Sequence, residues 1–262
     1  MKSKIIVLEV RPKELPTEDP IAWIIVERAE TFKRETGNSL PSEASICLTY
    51  RRIVSRSSRR KEGKGSFNGS YSKNSDMVAL SSQSISQSGA VYLDLPELKG
   101  QRIGTYLMNE IVQWVQQWPS AKVRSITLLD GQAGDDNKKR RNWLYEQFGL
   151  KFKYTDQSES EGTSEDISSG ELHTTEKWKE NIKEIELPDL FSKLLDEKES
   201  LSIEIETIKR SIDFLKSEHE NAKKSPVIWA MKQLFDRFAS AIGLLFIAFM
   251  LLMTFLRFHH LK

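Results

Sequence analysis

The stretch Leu95–Trp118, LPELKGQRIGTYLMNEIVQWVQQW, places two glycines and several polar residues directly before a helical pattern. Apolar residues recur at helical spacing from Leu107 onward, which predicts an α-helix with one buried face. The segment AVYLDLP just upstream predicts a strand that ends at Pro96, because proline cannot donate a hydrogen bond to a sheet. The predicted order is therefore strand, short loop and helix.

The short loop between the predicted strand and the predicted helix has the properties of an anion-binding site. The first amides of a helix lack intrahelical partners and lie at the positive end of the helix dipole. Gly100 and Gly104 carry no Cβ, so backbone amides near them can approach an anion closely. Lys99 and Arg102 add positive charge at the same place. The same residues also fit an ordinary turn that only starts a helix, and this segment alone does not decide between the two.

A second segment downstream adds three further elements. Lys122–Leu129, KVRSITLL, predicts a strand, and a helix from about Asp136 to Phe148 follows it. Gly149 stands where a glycine commonly ends a helix. Leu150–Tyr154 then predicts another short strand.

The two segments together resemble the GNAT superfamily of acyl-CoA-dependent N-acetyltransferases. The pyrophosphate loop of that family has the form R/Q-x-x-G-x-G/A after a strand, and Lys99–Gly104 lies in register with it. The second family motif, N-x-x-A-x-x-L-Y-E-K-x-G-F, is similar to Asn137–Gly149. The resemblance covers about Ala90–Tyr154.

The chain departs from the family pattern at four points. Lys99 stands in place of Arg or Gln, and Arg102 stands in place of the first motif glycine. Asp94 occupies a strand position that is usually apolar, and one extra residue lies between Asn137 and Tyr145. We expect Arg102 to be tolerated because a right-handed helical backbone there needs no glycine, and its charge suits a phosphate.

The resemblance implies a fold and a set of roles. The implied fold of residues 1–154 is an α/β domain with a mixed, mostly antiparallel sheet flanked by helices. Acetyl-CoA is the implied co-substrate, and Tyr145 is the implied general acid that protonates the departing thiolate. Asp94 is the candidate general base, although water can also take the proton of an amine. The implied cofactor-binding residues are Tyr92, Leu93, Leu95, Lys99, Gly100, Gln101, Arg102, Ile103, Gly104, Thr105 and Asn137.

The residues before this region supply the remaining predicted elements. Lys4–Pro16 predicts a first strand and Ala22–Gly37 an amphipathic helix, while Ser42–Arg56 and Asp76–Ser86 predict two more strands. Residues 50–76 are basic and rich in Ser and Gly, which predicts a flexible loop. The single cysteine, in Ser42–Arg56, excludes an intramolecular disulfide, and no metal-ligand spacing occurs, so we expect no metal site.

The residues after the GNAT-like segment differ in composition. Residues 155–184 predict an acidic linker, since no Lys or Arg occurs between Thr155 and His173. Residues 185–223 predict a coiled coil and a homo-oligomer, because seam positions recur at spacings of four and three over about five heptads. A single amphipathic helix lying on the globular domain would give the same pattern. The seam positions are Leu187, Phe191, Leu194, Lys198, Leu201, Ile205, Ile208, Ile212, Leu215, His219 and Ala222.

The C-terminal residues predict one membrane-spanning helix. Residues 238–256 contain no charge, and as a helix they would extend about 28 Å, close to the ~30 Å core of a bilayer. Residues 226–237 fit an interfacial amphipathic segment with Trp229 as its aromatic anchor. We expect a single C-terminal anchor in the inner (cytoplasmic) membrane. The N-terminal domain would face the cytoplasm, where acetyl-CoA is available.

Three functions are compatible with these features. The first is a membrane-anchored N-acetyltransferase that moves an acetyl group from acetyl-CoA to an amine of a protein or small molecule. The second is a membrane-tethered scaffold that keeps a GNAT fold without catalysis and acts through its coiled coil. The third, less favoured because aromatic residues are sparse there, is a nucleic-acid-binding protein that uses the basic residues Arg56, Arg59, Arg60 and Lys61.

Overall fold

The computed structural model describes residues 2–34, 41–53, 63–81, 95–132 and 137–259. The chain divides into two compact units, Met1–Ser192 and Lys193–Lys262. The described strands all lie in the first unit and are β1 (Lys2–Val10), β2 (Ala22–Lys33), β3 (Glu43–Ile53), β4 (Lys64–Ser72), β5 (Met77–Ser81), β6 (Lys122–Val123), β7 (Thr127–Leu128), β8 (Phe152–Tyr154), β9 (Gly162–Ser164) and β10 (Ile182–Glu186). The helices are α1 (Ile103–Val115), α2 (Asn137–Glu146), α3 (Leu187–Lys224) and α4 (Pro226–His259).

The main sheet contains seven strands in the order β10-β1-β2-β3-β4-β5-β6. Its neighbouring strands are antiparallel except for β5 and β6, which pair in parallel. A smaller antiparallel sheet has the order β7-β9-β8. The prediction of an α/β fold with a mixed, mostly antiparallel sheet is confirmed.

The prediction of an amphipathic helix at Ala22–Gly37 is wrong, because β2 occupies Ala22–Lys33 as a long strand. Three β-branched residues in succession, Ile24 to Val26, disfavour a helix and suit a pleated strand. Ala22, Ile24 and Val26 are buried in alternation with less buried residues, which is the period of a strand rather than of a helix. The strand pairs along its length with both β1 and β3.

Helix α1 crosses one face of the sheet at close range. Its apolar face, including Leu107, Ile111 and Trp114, is fully buried. A Cβ atom at Gly69 in β4 would lie 2.9 Å from the Cγ2 atoms of both Ile111 and Ile46. The absence of a side chain at Gly69 therefore lets the helix approach the sheet, and a larger residue would push the two layers apart.

The basic segment 50–76 is not a flexible loop throughout. Its first residues finish β3, and Lys64–Ser72 forms β4 in the interior of the sheet. A tight turn over Lys73–Asp76 then leads into β5, with the Asp76 amide donating to the Lys73 carbonyl. Residues 54–62, which include the basic cluster considered for nucleic-acid binding, lie outside the described residues.

The predicted acidic linker over residues 155–184 is also wrong, and the domain boundary at residue 154 with it. Strand β9 pairs with both β7 and β8, and β10 pairs with β1 at the edge of the main sheet. Leu172 and Trp178 belong to the hydrophobic core. The segment has few apolar residues, but those few reach core positions, so a count of acidic residues gave the wrong prediction.

The turn between β8 and β9 is built around the carboxylate of Asp156. It accepts hydrogen bonds from the amides of Ser160 and Glu161 and from the hydroxyl of Ser158. From α2, Arg141 donates to the Ser160 carbonyl at 2.8 Å, and Asn142 donates to the Glu159 carbonyl at 3.1 Å. Basic and amide side chains of α2 thus hold the acidic turn in place.

We predict that Asp156→Asn lowers the melting temperature at pH 7 and that the difference narrows as the pH falls from 4 to 3. The hydrogen bonds, first of all that from Ser158, hold the pKa of the Asp156 carboxyl well below its usual value of 3.8. This lowered pKa stabilises the fold fully above the unfolded-state value of 3.8; the contribution declines below that value and is lost only as the pH falls through the lowered pKa of the folded state. Thermal unfolding of both proteins from pH 3 to pH 7 measures the difference. A gap that stays constant over this range would contradict the prediction.

The described residues of the second unit are helical except for Ser225. Helix α3 confirms a long helix over most of the predicted coiled-coil segment, and α4 begins with Pro226 in its first turn. No helix in the part of the chain that the structure describes is long and apolar enough to cross a membrane.

Candidate functional site

The loop before α1 has the backbone of a sharp, two-step turn. Residues 96–98 form one turn of 3-10 helix, and α1 begins at Ile103. Between them, Gly100 has φ +82° and Arg102 has φ +60°. Both values lie in the left-handed region, so the chain turns twice before the helix begins.

Two contacts place this loop at the ends of strands in the main sheet. Arg52, near the end of β3, pairs with Glu97 at 2.7 Å from Nη1 to Oε2. The Lys13 amide, just beyond the end of β1, donates to Gln101 Oε1 at 2.8 Å. Strands β1, β3 and β5 run in the same direction, because each is antiparallel to β2 or β4. The loop therefore lies at the ends of β1 and β3, on the side of the sheet toward which β5 and its parallel neighbour β6 also run.

The expectation of a right-handed backbone at Arg102 is wrong. Arg102 lies in the left-handed region that glycine favours, and glycine is the residue that the GNAT motif has at this position. Its side chain turns away from the loop, since Nη2 pairs with Glu180 Oε2 at 2.7 Å and Nη1 donates to Asn181 Oδ1 at 3.2 Å. Its charge is thus already paired with a carboxylate.

Asn181 joins three segments around the loop, a role that sequence reasoning did not predict. Its side-chain amide donates to the carbonyls of Arg11 and Gln101, at 3.1 and 3.3 Å, while its carbonyl accepts from Arg102. The residue is 2% exposed. It lies in the segment predicted as a linker, and the strand Ile182–Glu186 that follows it has no alternating apolar pattern that would have indicated it.

Several residues predicted to bind the cofactor face inward or have other partners. Ile103 and Thr105 are buried, and the Thr105 hydroxyl lies 3.4 Å from Gln147 Nε2. The Gln101 amide donates to the Leu98 carbonyl at 3.2 Å. Some of the backbone amides predicted to bind the cofactor belong to the first residues of α1. These amides are oriented as at any helix N-terminus.

Lys99 and Gly100 are exposed at the tip of the loop, whereas Leu95 is buried beneath it. Leu95 directly precedes the 3-10 turn and is not part of a strand. The predictions for Tyr92, Leu93 and Asp94 lie outside the described residues.

Tyr145 lies in the hydrophobic core at the end of α2. It is 2% exposed, and its ring packs against Phe152 with 5.4 Å between centroids. Asn137 is exposed at the first position of α2. The contact of Gln147 with Thr105 brings the residues after α2 to the first turn of α1, so the two GNAT-like segments meet in space.

The arginines around the loop are paired with carboxylates. Beside the Arg52–Glu97 and Arg102–Glu180 pairs, Arg11 binds Glu9 at 2.9 Å. An anionic ligand at this edge would meet paired charges and would depend largely on backbone amides and the helix dipole.

A polar cluster lies beneath α1. The Tyr106 hydroxyl donates to Glu184 in β10 at 2.7 Å, and Arg28 in β2 binds both Glu30 and Glu110. Burial raises the pKa of the Tyr106 phenol and of the Glu110 carboxyl. Tyr106 therefore stays protonated and acts as a hydrogen-bond donor that holds α1 to the sheet edge.

A shallow cavity of about 480 Å³ lies beside Asn181. It is lined by Arg11, Pro16 and residues 178–184 of the segment leading into β10. Trp178 is 6% exposed, and its indole nitrogen has no hydrogen-bond partner within the described residues. Among those residues, no group of three or more His, Cys, Asp or Glu side chains could hold a metal ion.

Comparison with known proteins found no match among protein-family models, curated proteins or solved structures.

We predict that Arg102→Gly is more stable than Arg102→Ala by about 1 kcal/mol. Both variants lose the contacts with Glu180 and Asn181, so they differ mainly at the backbone. Alanine keeps the strain of a positive φ at this position, whereas glycine relieves it. Urea unfolding of the two variants measures the difference. Equal stability, or a more stable alanine variant, would show that residue 102 is not held in the left-handed region.

Proposed function

We propose that the protein is an N-acetyltransferase that uses acetyl-CoA and binds its pyrophosphate at the loop Lys99–Gly104. The observation that carries the proposal is the position of the α1 N-terminus on the side of the sheet toward which β1, β3 and the parallel strands β5 and β6 all run. Ligands of open α/β sheets bind at the carboxyl ends of strands, where the strand order or direction changes. The direction of pairing in this sheet changes at β5, which is antiparallel to β4 and parallel to β6.

The resemblance to the GNAT family supplies the chemistry of the proposal. An amine nitrogen attacks the thioester carbonyl, the carbon–sulfur bond breaks, and the acetyl group moves to nitrogen. The amine loses a proton to water or to a base, and the thiolate gains one from an acid. Tyr145 is the proposed acid, and positioning by the loop provides most of the rate enhancement.

A second candidate function is a scaffold that keeps the fold without catalysis. Three observations favour it: Arg102 is paired with Glu180, Thr105 faces inward, and Tyr145 is buried in the core. These residues hold the fold together in the structure. The scaffold hypothesis assigns them that task alone.

We predict that the full chain binds acetyl-CoA and that Gly104→Glu weakens binding by about tenfold or more, because a carboxylate at the loop repels the pyrophosphate. The variant is not expected to unfold. A glutamate in the first turn of α1 interacts favourably with the helix dipole, and it has a higher helix propensity than glycine. Calorimetric titration of the detergent-solubilised chain measures the affinity.

Gly104→Gln is the matched control, since glutamine has nearly the size of glutamate without its charge. Weaker binding by the glutamate variant than by the glutamine variant would support an electrostatic contact with the pyrophosphate. Equal losses would indicate that a side chain blocks the site sterically. Absence of binding by the unaltered, folded chain would refute the acetyltransferase proposal and favour the scaffold.

We propose further that residues 238–256 anchor the chain in a membrane, on the support of the sequence, which has no charge over these residues. We predict that Ile247→Arg combined with Met250→Arg releases the chain from membranes. A charge at the centre of a span costs about 2.5–3.5 kcal/mol on an insertion scale. Extraction of cell membranes at alkaline pH measures retention.

The control for this experiment is Gln233→Arg, which adds a charge in α4 before the uncharged residues. This variant should stay in the membrane fraction with the unaltered chain. Full extraction of the unaltered chain at alkaline pH would refute the anchor.

A further inference from the structure

Helix α3 carries an apolar face that is exposed within the single chain. In the second unit, this seam contains Leu194, Leu201, Ile205, Ile208, Ile212 and Leu215, each between 46% and 65% exposed. Residues at these spacings lie along one side of a helix. A partner that covered them would remove apolar surface from water, which stabilises the complex. A surface of this length and regularity indicates an interaction site.

We infer that this seam binds the same seam of a second copy of the chain, with the two helices parallel and in register. The inference goes beyond the proposed function and does not depend on it.

The charges beside the seam favour the parallel arrangement. Seam positions alternate between first and fourth places of a heptad, with Ile205 in a first place and Leu201 in a fourth. The position just before a first place carries Glu197, Glu204 and Glu218, with Ser211 before Ile212, and the position just after each fourth place carries Lys209, Lys216 or Lys223 in the later heptads. One flank of the helix is thus acidic and the other basic.

In a parallel pair, the acidic flank of each helix lies beside the basic flank of the other. Glu204 of one copy then lies opposite Lys209 of the second copy, five residues further along. In an antiparallel pair, acidic flanks face each other and basic flanks face each other, which repels. Glu218 and Lys223 form a second parallel pair, although Glu218 also accepts a hydrogen bond from Trp229 Nε1 at 3.1 Å within its own chain.

The seam residues also favour two strands. Ile205 and Ile212 occupy first places, and Leu194, Leu201 and Leu215 occupy fourth places, with Ile208 at one further fourth place; isoleucine at first and leucine at most fourth places is the combination that favours parallel dimers. Lys198 and His219 interrupt the seam at first places. In register, each lies opposite its own counterpart, so both weaken the dimer, and a polar residue at such a place commonly fixes the register.

Cysteine cross-linking of the full chain in membranes or detergent tests the arrangement. Cys47→Ser first removes the only native cysteine. Leu201→Cys and Leu215→Cys then place single thiols at two seam positions, and Ser217→Cys places one on the opposite face as a control. In a parallel, in-register dimer, seam residues meet their own counterparts within disulfide range. Each seam variant should therefore form disulfide-linked homodimers several-fold faster than the Ser217 control.

Mixing the two seam variants, one of them carrying a size tag, distinguishes the orientations. Residues 201 and 215 are about 21 Å apart along a helix, so a parallel dimer cannot join them. An antiparallel dimer with residue 208 at its centre would join 201 to 215, and any antiparallel register away from residues 201 and 215 would leave each single variant unlinked. That result would overturn the inference, as would cross-linking at the Ser217 rate or cross-linking only to a different protein.

Lys198→Ile gives an independent readout that needs no introduced cysteine. Removing two opposed charges from the seam should strengthen self-association, so the variant should stay dimeric at several-fold lower concentration than the unaltered chain. Glu199→Ile, one residue away from the seam, is the matched control. A chain that is monomeric at every concentration, with or without Lys198→Ile, would refute the dimer.

Discussion

The close packing of α1 on the sheet is the constraint on which the rest of the first unit depends. Gly69 leaves room for Ile111, and the buried face of the helix then fixes its path across the strands. This path brings the first turn of α1 to the edge strand of the main sheet, β10. There Tyr106 binds Glu184 in β10, so the same helix that positions the loop also ties the last strand to the fold. A shift of α1 would displace both together.

Elements with local signals were predictable from the sequence. The apolar periodicity of α1 is complete within the helix, and Gly149 adopts the left-handed conformation expected after α2. Strand β2 was mistaken for a helix because its charged second half fits either period. What decides the matter is pairing on both sides, with β1 and with β3. Strand β10 was missed because its partner β1 is far away in the sequence, at the start of the unit, and no local pattern encodes that contact.

The loop before α1 shows the same difference between local signals and distant contacts, here at a single residue. Its position directly before a helix follows from the sequence, and so does the turn at Gly100. The backbone angle at Arg102 does not, because it depends on Glu180 and Asn181, which are nearly eighty residues away in the chain. A motif fixes which residues occur in a loop. Tertiary contacts fix the direction in which their side chains point.

These contacts bear on how the loop could serve a cofactor. Because Arg102, Arg52 and Arg11 are each paired with a carboxylate, a pyrophosphate would gain little from them without breaking an existing pair. Its binding would rest on the helix dipole, on backbone amides and on the exposed Lys99. Ion pairing at the loop thus contributes to the stability of the fold and reduces the charge available to a ligand. A family motif can therefore persist in sequence while the charges around it hold the fold, and the affinity of the loop for pyrophosphate, rather than the motif, is what separates an enzyme from a scaffold.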